Sequence, residues 1–287
     1  VVEVNDIPWL GQHVEPLCSP PRPVGEAIVE QLFPPGETGR IPLVTVSGAS
    51  GRTSTTRLIA HILSVAGRRV GTACADGLFV AGRRVRAQDC SNSQGARAVL
   101  RNPNVEVAVL ETDPNSILRE GLGFDRCDVA VVLDGGADAI AEPQEIETPQ
   151  ALARLMEVLV EVVAPQGAAV LKADARLAAL VGRCSGPVVF FSEVPDHPLL
   201  AAHRANRSGG RVVHVRHGEI RLAEGPHEEV LCRLVEVPLT RGNCAGFGVE
   251  GALAAAATAW ALGERPEAIR AGLTSFLDDS GGRGERL

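Results

Sequence analysis

Three features that mark common classes of protein are missing from this sequence of 287 residues. The seven cysteines stand singly, without the close pairs that zinc clusters and disulfide frameworks use. No basic run accompanies the net charge of −7, which argues against a nucleic-acid-binding surface. No apolar stretch reaches the length of a membrane span, and the opening residues show no signal-peptide pattern. We therefore expect a cytoplasmic protein with reduced thiols that binds neither nucleic acid nor membranes.

What is present is enough apolar sequence for a sizeable core, since 45% of the residues are hydrophobic and 22% are charged. From residue 41 onwards, apolar runs alternate with amphipathic segments, which predicts a doubly wound α/β sheet with helices on both faces. A short antiparallel segment is predicted from residue 211. The predicted strands are 41–47, 105–111, 127–134, 168–174 and 187–193, and the predicted helices are 25–33, 53–67, 149–164, 250–262 and 266–276.

A glycine-rich loop, SGASGRTS, stands between the first of these strands and the helix that follows it. Gly48 and Gly51 suit a tight turn that approaches a phosphate, and Thr53 or Ser54 offers a hydroxyl to Mg²⁺. Backbone N–H groups at such a turn form an anion site. Arg52 departs from the phosphate-binding pattern, which has a lysine at this position. A guanidinium is bulkier than the lysine ammonium and is directed differently. The same glycines also suit a turn that binds nothing. The predicted nucleotide contacts are Gly48, Ala49, Ser50, Gly51, Arg52, Thr53 and Ser54.

Longer segments beyond the loop resemble the cyanophycin synthetases. They are RLIAHIL after the loop, AVLET at 108–112, GLGFDRCDVAVVL at 121–133, VLKAD at 170–174 and VPLT at 237–240. The opening VVEVN and the segment PRPVGEAIVEQLFP resemble the end of the ATP-grasp domain of the same family. The resemblance implies an ATP-grasp tail over 1–39, a P-loop domain of the Mur ligase central type over 40–280 and a linker over 281–287. Because the chain starts at Val1 and ends in SGGRGERL, we expect a truncated member of the family.

The resemblance implies an ATP-dependent, ADP-forming ligase that makes a polymer of Asp and Arg through an acyl phosphate. Its expected cofactors are ATP and Mg²⁺, its expected partners are a nucleotide and an amino-acid or peptide substrate, and a homo-oligomer is expected. Glu111 falls on the family's metal-binding carboxylate, and Glu111 and Arg52 are the expected catalytic residues. Thr53 and Glu111 are the expected metal ligands of the Mur-type site. In the ATP-grasp tail, Glu3 and Asn5 match the family's Mg²⁺ ligands.

The departures from the family fall on residues that its chemistry uses. Arg52 replaces a lysine, Asp134 an asparagine and Ala139 a histidine, although Asp138, an expected nucleotide contact, is retained. A Gly-rich stretch after the metal carboxylate is replaced by Asp113, Pro114, Asn115 and Ser116, and two further asparagines by Lys172 and Gly251, beside Glu250. Losing one such electrostatic group typically costs on the order of a hundred- to a thousandfold in rate. We therefore expect the site of this domain to be impaired.

Three hypotheses follow. The chain is part of a cyanophycin-type amide ligase and binds ATP at the loop, or it is a catalytically silent Mur-like scaffold or oligomerisation domain that supports an active ATP-grasp domain. A general P-loop kinase or ATPase would explain the loop but not the segment GLGFDRCDV. The closing C-terminal lobe of Mur ligases is not found after residue 276, which disfavours acyl-phosphate chemistry in a site open to water.

Overall fold

The computed structural model describes residues 9–33, 36, 38–134, 148–206, 209–241 and 245–277. The chain forms two compact units, Val1–Ile41 and Pro42–Leu287. The first unit contains helices α1, Gly11–Val14, and α2, Val24–Leu32. Neither helix buries a residue, and Val29 and Leu32 of α2 are exposed.

One sheet organises the second unit. Among the described residues it contains eleven strands in the order β11-β10-β9-β8-β7-β6-β1-β5-β2-β3-β4. The strands are β1 Leu43–Ser47, β2 Val70–Cys74, β3 Gly77–Val80, β4 Arg83–Arg86, β5 Val107–Glu111, β6 Cys127–Val132, β7 Val163–Lys172, β8 Val188–Ser192, β9 Arg211–Arg216, β10 Glu219–Glu224 and β11 His227–Arg233. Neighbouring strands pair in parallel through the middle of the sheet, which consists of β9, β8, β7, β6, β1, β5 and β2. The strands added at both edges, β10 and β11 on one side and β3 and β4 on the other, pair antiparallel. The predicted fold class, a mostly parallel α/β sheet with an antiparallel segment, is confirmed.

Helices cover both faces of the sheet. They are α3 Arg52–Val65, α4 Ser93–Leu100, α5 Pro114–Glu120, α6 Pro149–Glu161, α7 Ala175–Ala178, α8 Pro198–Arg204, α9 Ala245–Ala261 and α10 Pro266–Ser275. One core lies between the sheet and α3, α9 and α10, and the other lies under α6 and α8. The central strands are buried on both faces, which explains their continuous apolar sequences.

Helix α9 is packed on all sides. Its run from Ala252 to Ala257 is 0% exposed and contacts α3, α10 and the sheet. Alanine side chains allow these elements to approach closely, and Gly251 lies so near α3 that an added Cβ would stand 2.9 Å from Thr55 Oγ1. The apolar run predicted as a buried helix is therefore the centre of one core.

Two elements differ from the predictions. Helix α6 ends at Glu161 rather than at residue 164, because β7 already begins at Val163, which pairs with Cys127 of β6. The segment from residue 211 extends the main sheet, since β9 pairs in parallel with β8.

No helix in the described part of the chain is long and apolar enough to cross a membrane.

Candidate functional site

The glycine-rich loop joins the central strand β1 to helix α3. Gly48 has φ of 144° and Gly51 has φ of 72°, both in the region that favours glycine, so the loop turns as a phosphate-binding loop would. An added Cβ on Gly48 would lie 3.1 Å from Leu133 Cβ, which shows how closely the loop approaches the end of β6. The loop and Glu111 line a cleft of about 320 Å³. The backbone geometry of the predicted anion site is therefore present.

A carboxylate of the chain itself accepts hydrogen bonds from two N–H groups of this loop. Asp134 follows β6, the parallel neighbour of β1, and so stands beside the turn. The Ala49 amide donates to Asp134 Oδ2 at 2.9 Å and to Oδ1 at 3.1 Å, and the Ser50 amide donates to Oδ2 at 3.4 Å. Because such N–H groups attract an anion, Asp134 fills the position that a phosphate would take.

Arg52 is folded back onto the loop that precedes it. Its Nη1 donates to the carbonyl oxygens of Gly48 and Ala49, the second at 3.2 Å. Its Nε lies 3.4 Å from Glu111 Oε1, and its Nη2 lies 3.2 Å from Asp113 Oδ1. The guanidinium therefore joins the loop to the C-terminal end of β5 and to the N-terminal end of α5. Its charge is matched by two carboxylates.

Glu111, at the end of β5, has a side chain only 1% exposed. Besides Arg52, the Thr53 hydroxyl donates to its Oε2 at 2.9 Å, and the Ala75 amide donates to the same oxygen at 2.9 Å. Burial raises the pKa of Glu111, although these three donors each act to lower it. The carboxylate is thus held by protein donors from three segments.

A second charged cluster stands at the ends of the next strands. Lys172, at the end of β7, forms an ion pair with Glu250 of α9. Burial and the neighbouring Glu250 raise the pKa of Glu193, which follows β8, whereas Lys172 lowers it. Ligands of open α/β sheets bind at this carboxyl edge, so these charges line the place where the rest of a nucleotide would lie.

Comparison with known proteins decides the family. The model of the Mur ligase middle domain matches residues 46–224. The chain belongs to the Mur ligase middle-domain family. Cyanophycin synthetases from Trichormus variabilis and from a Synechocystis species are each 39% identical to it over 277 residues, which is 96% of this chain. The resemblance to cyanophycin synthetases is thereby confirmed. The chain spans about a third of the length of these relatives, 30% and 31% respectively.

Solved structures support the Mur ligase fold. A UDP-N-acetylmuramoyl-L-alanyl-D-glutamate–2,6-diaminopimelate ligase superposes with a TM-score of 0.63 and 15% identity, over 88% of this chain and 49% of that one. A pseudomurein peptide ligase type C from Methanothermus fervidus superposes with a TM-score of 0.56 and 19% identity, over 84% and 50% respectively. At these identities the similarity concerns the fold alone.

The predicted residues of this Mur-type site lie together wherever the structure describes them. Gly48, Ala49, Ser50, Gly51, Arg52, Thr53, Ser54 and Glu111 all line or form the cleft over the loop. Glu3, Asn5 and Asp138 lie outside the described residues. Sequence reasoning marked Asp113, Asp134 and Lys172 as departures but did not predict the contacts that they make.

As they stand, these residues do not fit Mg²⁺ and a nucleotide. The loop amides already bind a carboxylate, and Thr53 and Glu111, the predicted metal ligands, are bonded to each other. In the described part of the chain, no group of three or more His, Cys, Asp or Glu residues is placed to hold a metal ion. A phosphate at the loop would have to displace Asp134, and a metal at Glu111 would have to displace Arg52 and the Thr53 hydroxyl.

Proposed function

We propose that this chain is the Mur-ligase-type part of an ATP-dependent amide ligase of the cyanophycin synthetase type, and that its own nucleotide site is closed by internal charge pairs. The similarity to cyanophycin synthetases over 96% of the chain supports the first half. The resemblance implies that the longer protein joins amino acids or dipeptides through an acyl phosphate, with ATP and Mg²⁺ bound in its ATP-grasp domain. The Mur-type domain then acts as a scaffold or oligomerisation domain for that active domain.

The observation that carries the second half is the position of Asp134. A phosphate placed about 4 Å from this carboxylate would meet a repulsion of about 4 kcal/mol per unit charge at an effective dielectric constant of about 20. Asn at the same position would keep the shape of the side chain without the charge. The expected asparagine at this position in the family therefore suits a nucleotide loop, whereas Asp134 suits a loop that binds its own chain.

A second observation points the same way. Arg52 cannot reach a terminal phosphate while it bonds to Gly48, Ala49, Glu111 and Asp113. Replacing it by lysine would remove the fork that joins the two carboxylates and would leave a compact charge at the start of α3. The two substitutions together, Asp134→Asn and Arg52→Lys, remove the carboxylate from the phosphate position and replace the guanidinium fork with a compact ammonium group.

Calorimetric titration with Mg-ATP tests the proposal. We expect no binding heat from the parent chain and measurable binding by the variant carrying Asp134→Asn and Arg52→Lys. Asp196→Asn is the matched control, because it removes the same charge from an exposed side chain in the segment after β8. We expect this variant to bind Mg-ATP no better than the parent chain. Binding by the parent chain that is lost on Glu111→Gln would show that the site is open and would refute the closed site.

The scaffold role is tested in the longer protein. If the Mur-type site is closed, Glu111→Gln should leave the rate of polymer formation unchanged, provided that the variant folds as the parent does. A loss of polymer formation without loss of folding would assign catalysis to this domain. The similarity to ligases would then remain, but the scaffold role would be wrong.

A further inference from the structure

A second cleft lies far from the nucleotide loop, between α8 and strand β9. It encloses about 530 Å³, a size typical of small-molecule sites. Strand β9 is separated from β1 by three intervening strands, which places the two sites about 19 Å apart across the sheet. The cleft also opens on the other face, because Val212 packs with α8 whereas Val213 packs with α9. This cleft therefore belongs to a different part of the molecule.

A buried histidine forms part of the wall of this cleft. The side chain of His214 is 2% exposed, and neither ring nitrogen makes a hydrogen bond to the described residues. Its Nε2 lies 3.7 Å from Glu228 Oε2, and the Val215 backbone lies near the ring without meeting hydrogen-bond geometry. A buried polar group usually has a partner, because leaving it unsatisfied costs free energy. The ring is therefore a buried reporter in the wall of the cleft, and a ligand beside it would change its surroundings.

The charges around His214 explain its protonation. Burial lowers its pKa, and Arg204 and Arg216 lower it further, whereas Glu228 raises it. The ring is thus neutral near pH 7, with one nitrogen that donates and one that accepts.

Donors outnumber acceptors among the side chains that line the cleft. Arg204 donates through Nε to the Gly225 carbonyl and through Nη1 to Glu228, which leaves its Nη2 without a bond to the described residues. Within the described residues, Arg216 donates through Nη2 alone, to Asp196, whose side chain is 84% exposed. Such an exposed pair is weak, so Arg216 can exchange that carboxylate for another at little cost.

The remaining wall is apolar. Leu200, Ala201, Val212 and Pro226 line it beside the charged groups. Two guanidinium groups along the wall, paired with Glu228 and Asp196 and set among apolar side chains, match a molecule that carries one carboxylate and an uncharged remainder. Planar N–H pairs of arginine fit a carboxylate with two hydrogen bonds.

We propose that the cleft between α8 and β9 is a binding site for a small organic carboxylate, held by Arg204 and Arg216, with the His214 ring buried in the wall beside it. Asp196 forms an ion pair with Arg216 in the absence of the ligand, and its side chain moves into solvent when the ligand binds. The site does not use the nucleotide loop, and it does not depend on the function proposed for that loop.

The test is NMR of the histidine side chains during titration with N-acetylglycine at constant ionic strength. The chain has seven histidines, so the His214 resonance can be assigned from its loss in His214→Gln. We expect a saturable shift of that resonance with N-acetylglycine and none with N-acetylglycinamide, which has the same shape without the charge. Arg216→Gln should weaken binding about tenfold, the effect of one charge-assisted hydrogen bond.

Arg211→Gln is the matched control. Arg211 lies on the same strand, is 40% exposed against 38% for Arg216, and likewise pairs with one carboxylate, Glu224. It stacks over Trp260 of α9, on the opposite face of the sheet, so its loss should leave N-acetylglycine binding unchanged.

Four results would overturn the proposal. The first is the absence of a saturable shift with N-acetylglycine. The second is an equal shift with N-acetylglycinamide, and the third is an equal loss of affinity in Arg211→Gln and Arg216→Gln. The fourth is binding of inorganic phosphate without binding of N-acetylglycine, which would make the cleft a phosphate site instead.

Discussion

The nucleotide loop and the cleft at His214 differ in how far their polar and charged groups are paired within the chain. At the loop, Asp134 fills the backbone donors and Arg52 is matched by Glu111 and Asp113. At the cleft, His214 has no hydrogen-bond partner in the described residues, and Arg216 shares a single exposed carboxylate. The first region has the sequence pattern of a binding site, yet two of its loop amides and the side chains of Arg52, Thr53 and Glu111 are already paired within the chain. The second region has no recognisable pattern, but beside a cavity it has a buried histidine without a hydrogen-bond partner in the described residues and an arginine with a single exposed partner.

A sequence motif and the capacity to bind a ligand are therefore separate properties. Glycines fix the path of the loop, and that path persists whether the anion inside it is a phosphate or Asp134. Binding depends on donors that the chain leaves free, and those depend on side chains that lie far apart in sequence. Three predictions test this contrast, starting from the largest effect.

Removing Arg52 should be the most damaging single change. Arg52→Ala leaves the buried Glu111 without its cation, and breaking a buried ion pair typically costs about 3 kcal/mol or more of unfolding free energy. Urea unfolding of the parent and the variant measures this loss. Adding Glu111→Gln to Arg52→Ala should recover much of it, because the uncompensated charge is gone. An Arg52→Ala variant as stable as the parent would show that the loop does not depend on its internal ion pairs.

The two regions should respond to acid with opposite signs. Burial lowers the pKa of His214, so between that value and about 6.5 the unfolded chain binds more protons and stability falls as pH falls. Burial raises the pKa of Glu111, so from that value down to about 4.5 the folded chain binds more protons and stability rises as pH falls.

Unfolding free energies measured between about pH 4.5 and pH 7.5 separate the two contributions. His214→Phe should flatten the part of the curve just below pH 6.5, and Glu111→Gln should remove the gain at lower pH. Identical pH curves for the parent and both variants would contradict the assignment of these groups.

The smallest effect should come from Arg216. Its ion pair with Asp196 is exposed, so Arg216→Gln should change the unfolding free energy by no more than about 0.5 kcal/mol, as should Arg211→Gln. Thermal unfolding of the two variants checks this expectation. A large loss of unfolding free energy in Arg216→Gln would mean that Arg216 stabilises the fold and is not available to bind a ligand.

The fold was largely predictable because its signals are local. Buried parallel strands give continuous apolar runs, and the loop, α3 and the alanine-rich α9 each have a clear pattern. The hairpin of β3 and β4 was missed because its turn is Ala81-Gly82, with φ of 48° and 76°, where alanine replaces the usual Asn or Asp. The early end of α6 was missed because Pro165 suggested a later stop, whereas pairing with β6 decides where β7 begins.

The site was predictable in its members and not in its contacts. The glycine loop and Glu111 could be named from their positions at strand ends. That Asp134 enters the loop depends on β6 lying next to β1, which is a property of the sheet order. The His214 cleft gave no sequence signal at all, because alternate residues of β9, Val212 and His214, meet α8 only once the sheet is assembled.

Helix α9 has a consequence for how the domain opens. Since its middle turns are surrounded by α3, α10 and the sheet, no local movement can bring their amide hydrogens to solvent. These amides exchange with water only when the whole domain unfolds, so they record its global stability. The loop and the His214 cleft are separate parts of the domain, and a ligand at either one that binds only the folded chain would slow exchange in the same helix.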